Sequence, residues 1–178
     1  MHKVRSILVL FFLSLMHAGV AHAQWVQTNG PYGGMILSFA VSGTNLFAGT
    51  ESGVFLSTNN GTSWTVVNNG LTNKDVYALA ASGTDLFAGT GGGVFLSTNN
   101  GTSWTEVNNG LTYLHVPALA VSGTNLFAGT GSAGGGVFLS TNNGANWTAV
   151  NNGLTNLEVI ALAASGTDLF AGTGGGVF

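Results

Sequence analysis

The sequence predicts an all-β chain of β-propeller blades, and three observations predict it. Leu-Phe-Ala-Gly-Thr recurs at 46–50, 86–90, 126–130 and 169–173, at spacings of 40, 40 and 43 residues. A period near 40 belongs to propellers and solenoids. Each period also holds four short apolar runs separated by Gly, Asn, Ser and Asp, the residues that favour tight turns. The connections are only about 2–5 residues long, which permits antiparallel hairpins and forbids parallel crossovers. Four antiparallel strands in succession, repeated along the chain, make propeller blades.

The second repeat shows the elements in order. Residues 75–81 carry Val76, Tyr77, Ala78, Leu79 and Ala80, apolar on both faces as an inner strand packed between sheets would be. Ser82-Gly83-Thr84-Asp85 turns the chain into a second strand, Leu86–Gly89, and Gly91-Gly92-Gly93 reverses it into a third, Val94–Ser97. Thr98-Asn99-Asn100-Gly101-Thr102 then leads to a fourth strand, Trp104–Val107. Val, Phe, Thr and Trp suit pleated surfaces, and the frequent glycines would break a helix. A β-solenoid is the rival architecture, but its coils are shorter and lack hairpin turns. Complete blades are expected at about 35–66, 75–107 and 115–150, with a partial one at 158–178 and a leftover fourth strand at Trp25-Val26. The 43-residue spacing reflects an insertion around Ser132-Ala133-Gly134. The ends could share one blade and close a four-bladed ring. However, the sequence stops inside Gly-Val-Phe at 176–178, where other copies continue to Leu-Ser-Thr. The expectation is an open arc that is the N-terminal part of a longer propeller.

The N-terminus reads as a signal peptide over residues 1–23, leaving 24–178 as the repeat region. Lys3 and Arg5 precede the apolar run Ile7–Leu13, and Ala21-His22-Ala23 offers a small-residue cleavage site. The run is shorter than the roughly 20 residues of a spanning helix, so no membrane span is expected after cleavage. A secreted or periplasmic location follows, and the absence of cysteine suits a bacterial envelope.

The charge inventory excludes whole function classes. After residue 23, Lys74 stands alone against Glu51, Asp75, Asp85, Glu106, Glu158 and Asp168, a net charge of −5 with no arginine. No basic patch can form, so nucleic acid is excluded as a partner. With no cysteine and His115 the single remaining histidine, no metal site is expected. The Gly-rich runs at 91–93 and 134–136 lack the Gly-Lys-Ser/Thr of a phosphate loop, so no cofactor is expected either.

One turn carries a specific motif. Ser57-Thr58-Asn59-Asn60-Gly61-Thr62-Ser63-Trp64 recurs as 97–104 and, with Ala145-Asn146, as 140–147. It resembles the Asp-box, S-x-D-x-G-x-T-W, of the BNR-repeat propellers, a superfamily that includes sialidases, sortilin, xyloglucanases and the photosystem II assembly-factor family. The resemblance covers essentially residues 25–178 and implies the fold, while families with and without catalysis share it. It implies structural roles for Ser57, Asn59, Gly61 and Trp64, for Ser97, Asn99, Gly101 and Trp104, and for Ser140, Asn142, Gly144 and Trp147. The box aspartate is Asn in all three copies; its side-chain oxygen can still accept backbone N–H bonds across the turn. The Trp is expected to cover the hairpin as a large apolar lid.

No catalytic residue is expected in this chain. A sialidase needs an arginine cluster for its substrate carboxylate. A paired-carboxylate glycosidase needs two acids facing one cleft. Asp85 and Asp168 stand where other repeats have Asn45 and Asn125, which marks turn positions. The chain therefore reads as a non-catalytic scaffold for a protein or glycan partner, or else as part of a xyloglucanase-like enzyme whose acids lie in further blades.

Variation between repeats locates the candidate binding surface. Residues 51–90 differ from 91–130 at nine positions, four of them at 73, 74, 75 and 77. Alternate positions of an extended chain point the same way. The trios Asn73/Asp75/Tyr77, Tyr113/His115/Pro117 and Asn156/Glu158/Ile160 should thus form one rim, unless they reflect drift in a free surface loop. The candidates are Lys74, Asp75, Tyr77, Tyr113, His115 and Glu158, on the end of the arc opposite the boxes.

Overall fold

The computed structural model describes residues 26–32, 34–131 and 134–178. Residues 1–23, where a signal peptide is expected, together with Trp25 and the Ser132-Ala133 part of the insertion, lie outside the described residues. Among the described residues fifteen strands form four antiparallel meanders in chain order. The first holds β1 (Ile36–Ser42), β2 (Asn45–Thr50), β3 (Gly53–Ser57) and β4 (Thr65–Val66). The second holds β5 (Val76–Ser82), β6 (Asp85–Thr90), β7 (Gly93–Ser97) and β8 (Thr105–Glu106). The third holds β9 (Ala118–Ser122), β10 (Asn125–Thr130), β11 (Gly136–Ser140) and β12 (Thr148–Ala149). The fourth holds β13 (Val159–Ser165), β14 (Asp168–Thr173) and β15 (Gly176–Val177). The architecture is the predicted all-β propeller arc: among the described residues no strand joins the first sheet to the last. Val26, expected in a leftover fourth strand, lies in irregular chain, and among the described residues no third strand runs beside it.

The inner strands β1, β5, β9 and β13 pack successively against one another. Close approach also requires small residues on the second strands that face the next lead-in, such as Gly89 of β6. A Cβ on Gly89 would stand 2.6 Å from the Val116 carbonyl oxygen of the next blade, so the glycine lets that backbone in. Three of these strands carry a bulge near their start, between Ile36 and Ser38, Val76 and Ala78, and Val159 and Ala161. In the third blade Pro117 occupies the bulged place and the ladder begins at Ala118, since proline has no N–H to offer.

Period-2 alternation gives each sheet two apolar faces, one toward each neighbour. Phe47 and Val54 of the first blade pack with Leu79, Leu86, Phe95 and Trp104 of the second. Phe87 and Val94 of the second pack likewise with Leu126, Phe138 and Trp147 of the third. Burying each such side chain contributes about 1.5–3 kcal/mol.

Two hydrogen-bond devices repeat with the blades. Ser97 is buried, its Oγ accepts the Gly101 N–H at 2.8 Å, and it donates to Asn99 Oδ1 at 3.0 Å. Asn99 Oδ1 also accepts the Ser103 N–H at 2.9 Å, while Asn99 Nδ2 donates to Ser103 Oγ at 2.8 Å. The same Ser and Asn oxygens close the turns around Asn59 and Asn142. The second device was not singled out from the sequence. Asn108 Oδ1 accepts the Val94 N–H at 2.7 Å, and its Nδ2 donates to the Gly92 carbonyl at 3.1 Å. Asn68 and Asn151 clamp their own hairpins in the same way.

The rings of Trp64 and Trp147 lie over their own turns, 3.8 and 3.7 Å from where a Cβ on Gly61 and Gly144 would stand, and two of the box tryptophans reach further than a hairpin lid. Trp104 reaches into the preceding blade, packs beside Phe47 and Val54, and donates its indole N–H to the Val67 carbonyl at 2.7 Å. Trp147 does the same to Val107. In these two boxes the neighbouring blade supplies the acceptor that a buried indole usually finds, whereas the buried Trp64 Nε1 has none among the described residues.

Candidate functional site

The hairpin turns sort onto two ends of the arc. At one end lie the boxes and the turns between first and second strands: Asn143 Nδ2 of the third box donates to Asp85 Oδ2 at 2.9 Å. Asp85 is thus engaged with a neighbouring turn. Between the N-terminal segment and the first box, Val26, Thr28, Asn60 and Gly61 line a depression of about 440 Å³ that carries no ionisable side chain.

At the other end lie the turns between second and third strands, with the chain that leads into each inner strand folded over them. A methyl group on Gly91 would sit 3.8 Å from the Tyr77 ring and 3.4 Å from Asn73 Nδ2. One on Gly131 would sit 2.7 Å from His115 Nδ1, and one on Gly135 would sit 2.5 Å from the Tyr113 ring. The Gly131 N–H donates to the His115 carbonyl at 3.1 Å, and the Gly136 N–H donates to the Leu157 carbonyl at 2.9 Å. The glycines on either side of the insertion are therefore tied one to the lead-in of the third blade and the other to that of the fourth.

Within this rim the structure brings Tyr77 and His115 into contact across the blade boundary. Their ring centroids are 4.9 Å apart at an interplanar angle of 68°, an edge-to-face pair. Both are half-buried, whereas Tyr113 is 39% exposed beside the exposed Leu114. Lys74 and Asp75 are exposed in the lead-in to β5, and Glu158 is exposed in the lead-in to β13. Glu51 adds a carboxylate that the sequence did not single out, accepting the Met35 N–H at 3.3 Å beside the first blade's corresponding turn.

The reason for the shared placement differs from the alternation expected. Asn73 Oδ1 accepts the Asp75 N–H at 3.1 Å, and Asn156 Oδ1 accepts the Glu158 N–H at 2.9 Å. These are Asx turns, so the lead-ins are curled rather than extended, and the bulge at Tyr77 further breaks the two-residue period. Pro117 packs over Gly131, and Ile160 is 58% exposed. Among the described residues no group of three or more His, Asp or Glu side chains is placed to hold a metal.

Fold and repeat define the chain as β-propeller blades. It belongs to the family of the DUF6242 beta propeller domain, which matches residues 21–164. No curated protein matches the chain. Among solved structures, an ancestral GH74 enzyme is 24% identical with a TM-score of 0.68, covering 82% of this chain and 22% of that one. The computationally designed Ika4 protein is 18% identical with a TM-score of 0.66, covering 88% of this chain and 98% of that one. YCF48 bound to a D1 peptide is 16% identical with a TM-score of 0.61, covering 81% of this chain and 50% of that one. At these identities the likeness shows the fold alone. The chain thus spans about a fifth of the GH74 enzyme and half of YCF48.

Proposed function

We propose that the chain is an exported propeller scaffold, without catalysis of its own, that binds a protein or glycan partner along the rim. The observation that carries this reading is the Tyr77–His115 pair. Two residues from positions that vary between repeats form one aromatic surface across two blades. Tyr113, Lys74, Asp75 and Glu158 extend it along the same end, while the near-identical boxes occupy the other. Aromatic side chains dominate binding hot spots, so Tyr77 and Tyr113 are the anchors. That YCF48 is seen with a D1 peptide supports a peptide as one class of partner. The test is an array of peptides and oligosaccharides probed with the purified chain, followed by titration of each ligand found. The double variant Tyr77→Ala, Tyr113→Ala should lose at least tenfold in affinity; unchanged affinity would refute the rim.

The likeness to a GH74 enzyme favours a second reading, in which this arc is one part of a glycoside hydrolase. Under that reading two cleft-facing acids come from sequence beyond these blades. Hydrolysis of xyloglucan by the complete coding sequence, lost on removing acids outside residues 24–178, distinguishes it from the scaffold.

A further inference from the structure

Asparagine precedes glycine twice in each of the first three repeats, once in the box and once in the turn that links the blade to the next. The pairs are Asn60 and Asn69, Asn100 and Asn109, and Asn143 and Asn152. This dipeptide carries chemistry of its own. The glycine amide nitrogen can attack the side-chain carbonyl carbon of the asparagine, and glycine has no side chain to shield that nitrogen. The sequence makes every copy a candidate, and the fold separates them.

In the boxes the nucleophile is held. Gly61, Gly101 and Gly144 are buried, and their N–H groups donate to Ser57, Ser97 and Ser140 Oγ at 2.8, 2.8 and 2.9 Å. A buried amide bonded to a hydroxyl is kept from water and from losing its proton. In the linking turns it is free. Gly70 and Gly110 are exposed, and among the described residues their N–H groups donate to nothing.

These two turns each lie between two four-stranded sheets and share the sequence Val-Asn-Asn-Gly-Leu-Thr, so local sequence cannot tell them apart. One contact does. Asn109 Nδ2 donates to Asn146 Oδ1 of the third box at 2.6 Å. The second box has Ser103 in that place, and its Oγ accepts from Asn99 Nδ2 instead. The Asn69 side chain is exposed and makes no hydrogen bond among the described residues, so it can turn onto the Gly70 nitrogen.

We propose that Asn69–Gly70 is a site of spontaneous covalent modification. The Gly70 nitrogen bonds to Asn69 Cγ, the bond from Cγ to Nδ2 breaks, and ammonia leaves with the proton that the Gly70 nitrogen gave up. Water then opens the five-membered imide at either carbonyl and leaves aspartate or isoaspartate. In isoaspartate the main chain runs through the former side chain and is one methylene longer. It lengthens where the Asn69 carbonyl accepts the Trp104 N–H at 2.8 Å and where a Cβ on Gly70 would collide with the Trp104 carbonyl. The modification therefore loosens the junction between the first and second blades.

The test is timed incubation of the purified chain, folded in buffer and unfolded in guanidinium chloride, with chymotrypsin digestion and tandem mass spectrometry. Cleavage after Leu56, Trp64, Leu71, Trp104 and Leu111 puts boxes and linking turns on separate peptides, and Val66 against Glu106 distinguishes the two turns by mass. In the folded chain Asn69 should convert about tenfold faster than the box asparagines. It should outpace Asn109 by about three- to tenfold, the effect of one side-chain hydrogen bond. In denaturant Asn69 and Asn109 should convert at equal rates. Asn146→Ser gives the third box the residue of the other two and should raise Asn109 to the rate of Asn69, while Ser103→Asn should slow Asn69. Conversion of Asn69 in the folded chain as slow as that of the boxes overturns the proposal. So do equal rates at Asn69 and Asn109 in the folded chain, a difference between them that persists in denaturant, or an Asn109 rate that Asn146→Ser leaves unmoved.

Discussion

Trp104 donates its indole N–H to the carbonyl of Val67 in the preceding blade at 2.7 Å, and so ties two sheets whose strands share no ladder. The bond lies at the margin of an apolar cluster that includes Phe47, Val54 and Phe95. The second and third boxes therefore do two jobs, closing their own hairpins through Ser and Asn and latching their blades to the one before through Trp.

The latch predicts unequal costs for equal changes. Trp104→Phe leaves the Val67 carbonyl without its donor and should cost about 1–3 kcal/mol beyond the loss of ring volume. Trp64→Phe removes the same atoms from an indole whose Nε1 has no acceptor, so that extra loss should be missing. Urea unfolding of the two variants measures the difference, and equal destabilisation would count against the latch.

The clamp asparagines predict an effect of charge. Asn108→Asp keeps the acceptor for the Val94 N–H but loses the Nδ2 donor to Gly92 and to Glu106 Oε1, the latter now 2.8 Å away. It sets a carboxylate beside another carboxylate as well as beside a carbonyl, at a cost of about 1–3 kcal/mol. Asn68→Asp meets the Ser52 carbonyl but has Val66 where Asn108 has Glu106, so it should cost less. Raising the salt concentration should narrow the gap between the two, because screening weakens like-charge repulsion. Thermal unfolding at low and high salt provides the comparison.

A glycine inside a strand and one in a turn should answer differently to a methyl group. Gly89→Ala drives Cβ to 2.6 Å from the Val116 carbonyl oxygen, a backbone atom that cannot swing aside. Overpacking of that kind should cost about 3 kcal/mol. Gly83→Ala meets nothing within 4 Å and carries only the strain of φ +59°, about 1 kcal/mol. Chemical denaturation of the pair decides it; similar values would mean that the inner strands have room to separate.

The sequence carried the blade and its turns because both are local: a 40-residue period, glycines at the reversals and alternation within each strand are all visible along one chain. What crosses between blades was hidden. The indole of Trp104 looked like a cover for its own hairpin, since nothing in the repeat marks the Val67 carbonyl as its acceptor. The Asn68, Asn108 and Asn151 clamps could have been found, for Val-Asn-Asn-Gly-Leu-Thr recurs unchanged at 67–72, 107–112 and 150–155. At the rim, the variable positions were legible, but the reason they gather was not. Asn73 and Asn156 curl the lead-ins through their own side chains, and a bulge at Tyr77 breaks the alternation that strand geometry alone would give.

The last prediction concerns the asparagine that stands where the Asp-box has its acid. Asn99 Oδ1 accepts two hydrogen bonds, from the Ser103 N–H at 2.9 Å and from the Ser97 hydroxyl at 3.0 Å. A carboxylate oxygen can accept both equally well. Only the Nδ2 bond to Ser103 Oγ, at 2.8 Å, is closed to Asp as drawn, and the serine hydroxyl can rotate to donate to the carboxylate instead. Asn99→Asp should therefore change stability by no more than about 0.5 kcal/mol, in the range of an ordinary surface substitution. Asn99→Ala removes the acceptor altogether, leaves the Ser97 hydroxyl buried without this partner, and should cost about 1–3 kcal/mol. Equilibrium unfolding of both variants tests whether the turn depends on an oxygen acceptor or on the amide itself. If Asp proves as damaging as Ala, the Nδ2 donor is indispensable and the interchange of Asn with Asp at this position has been misread.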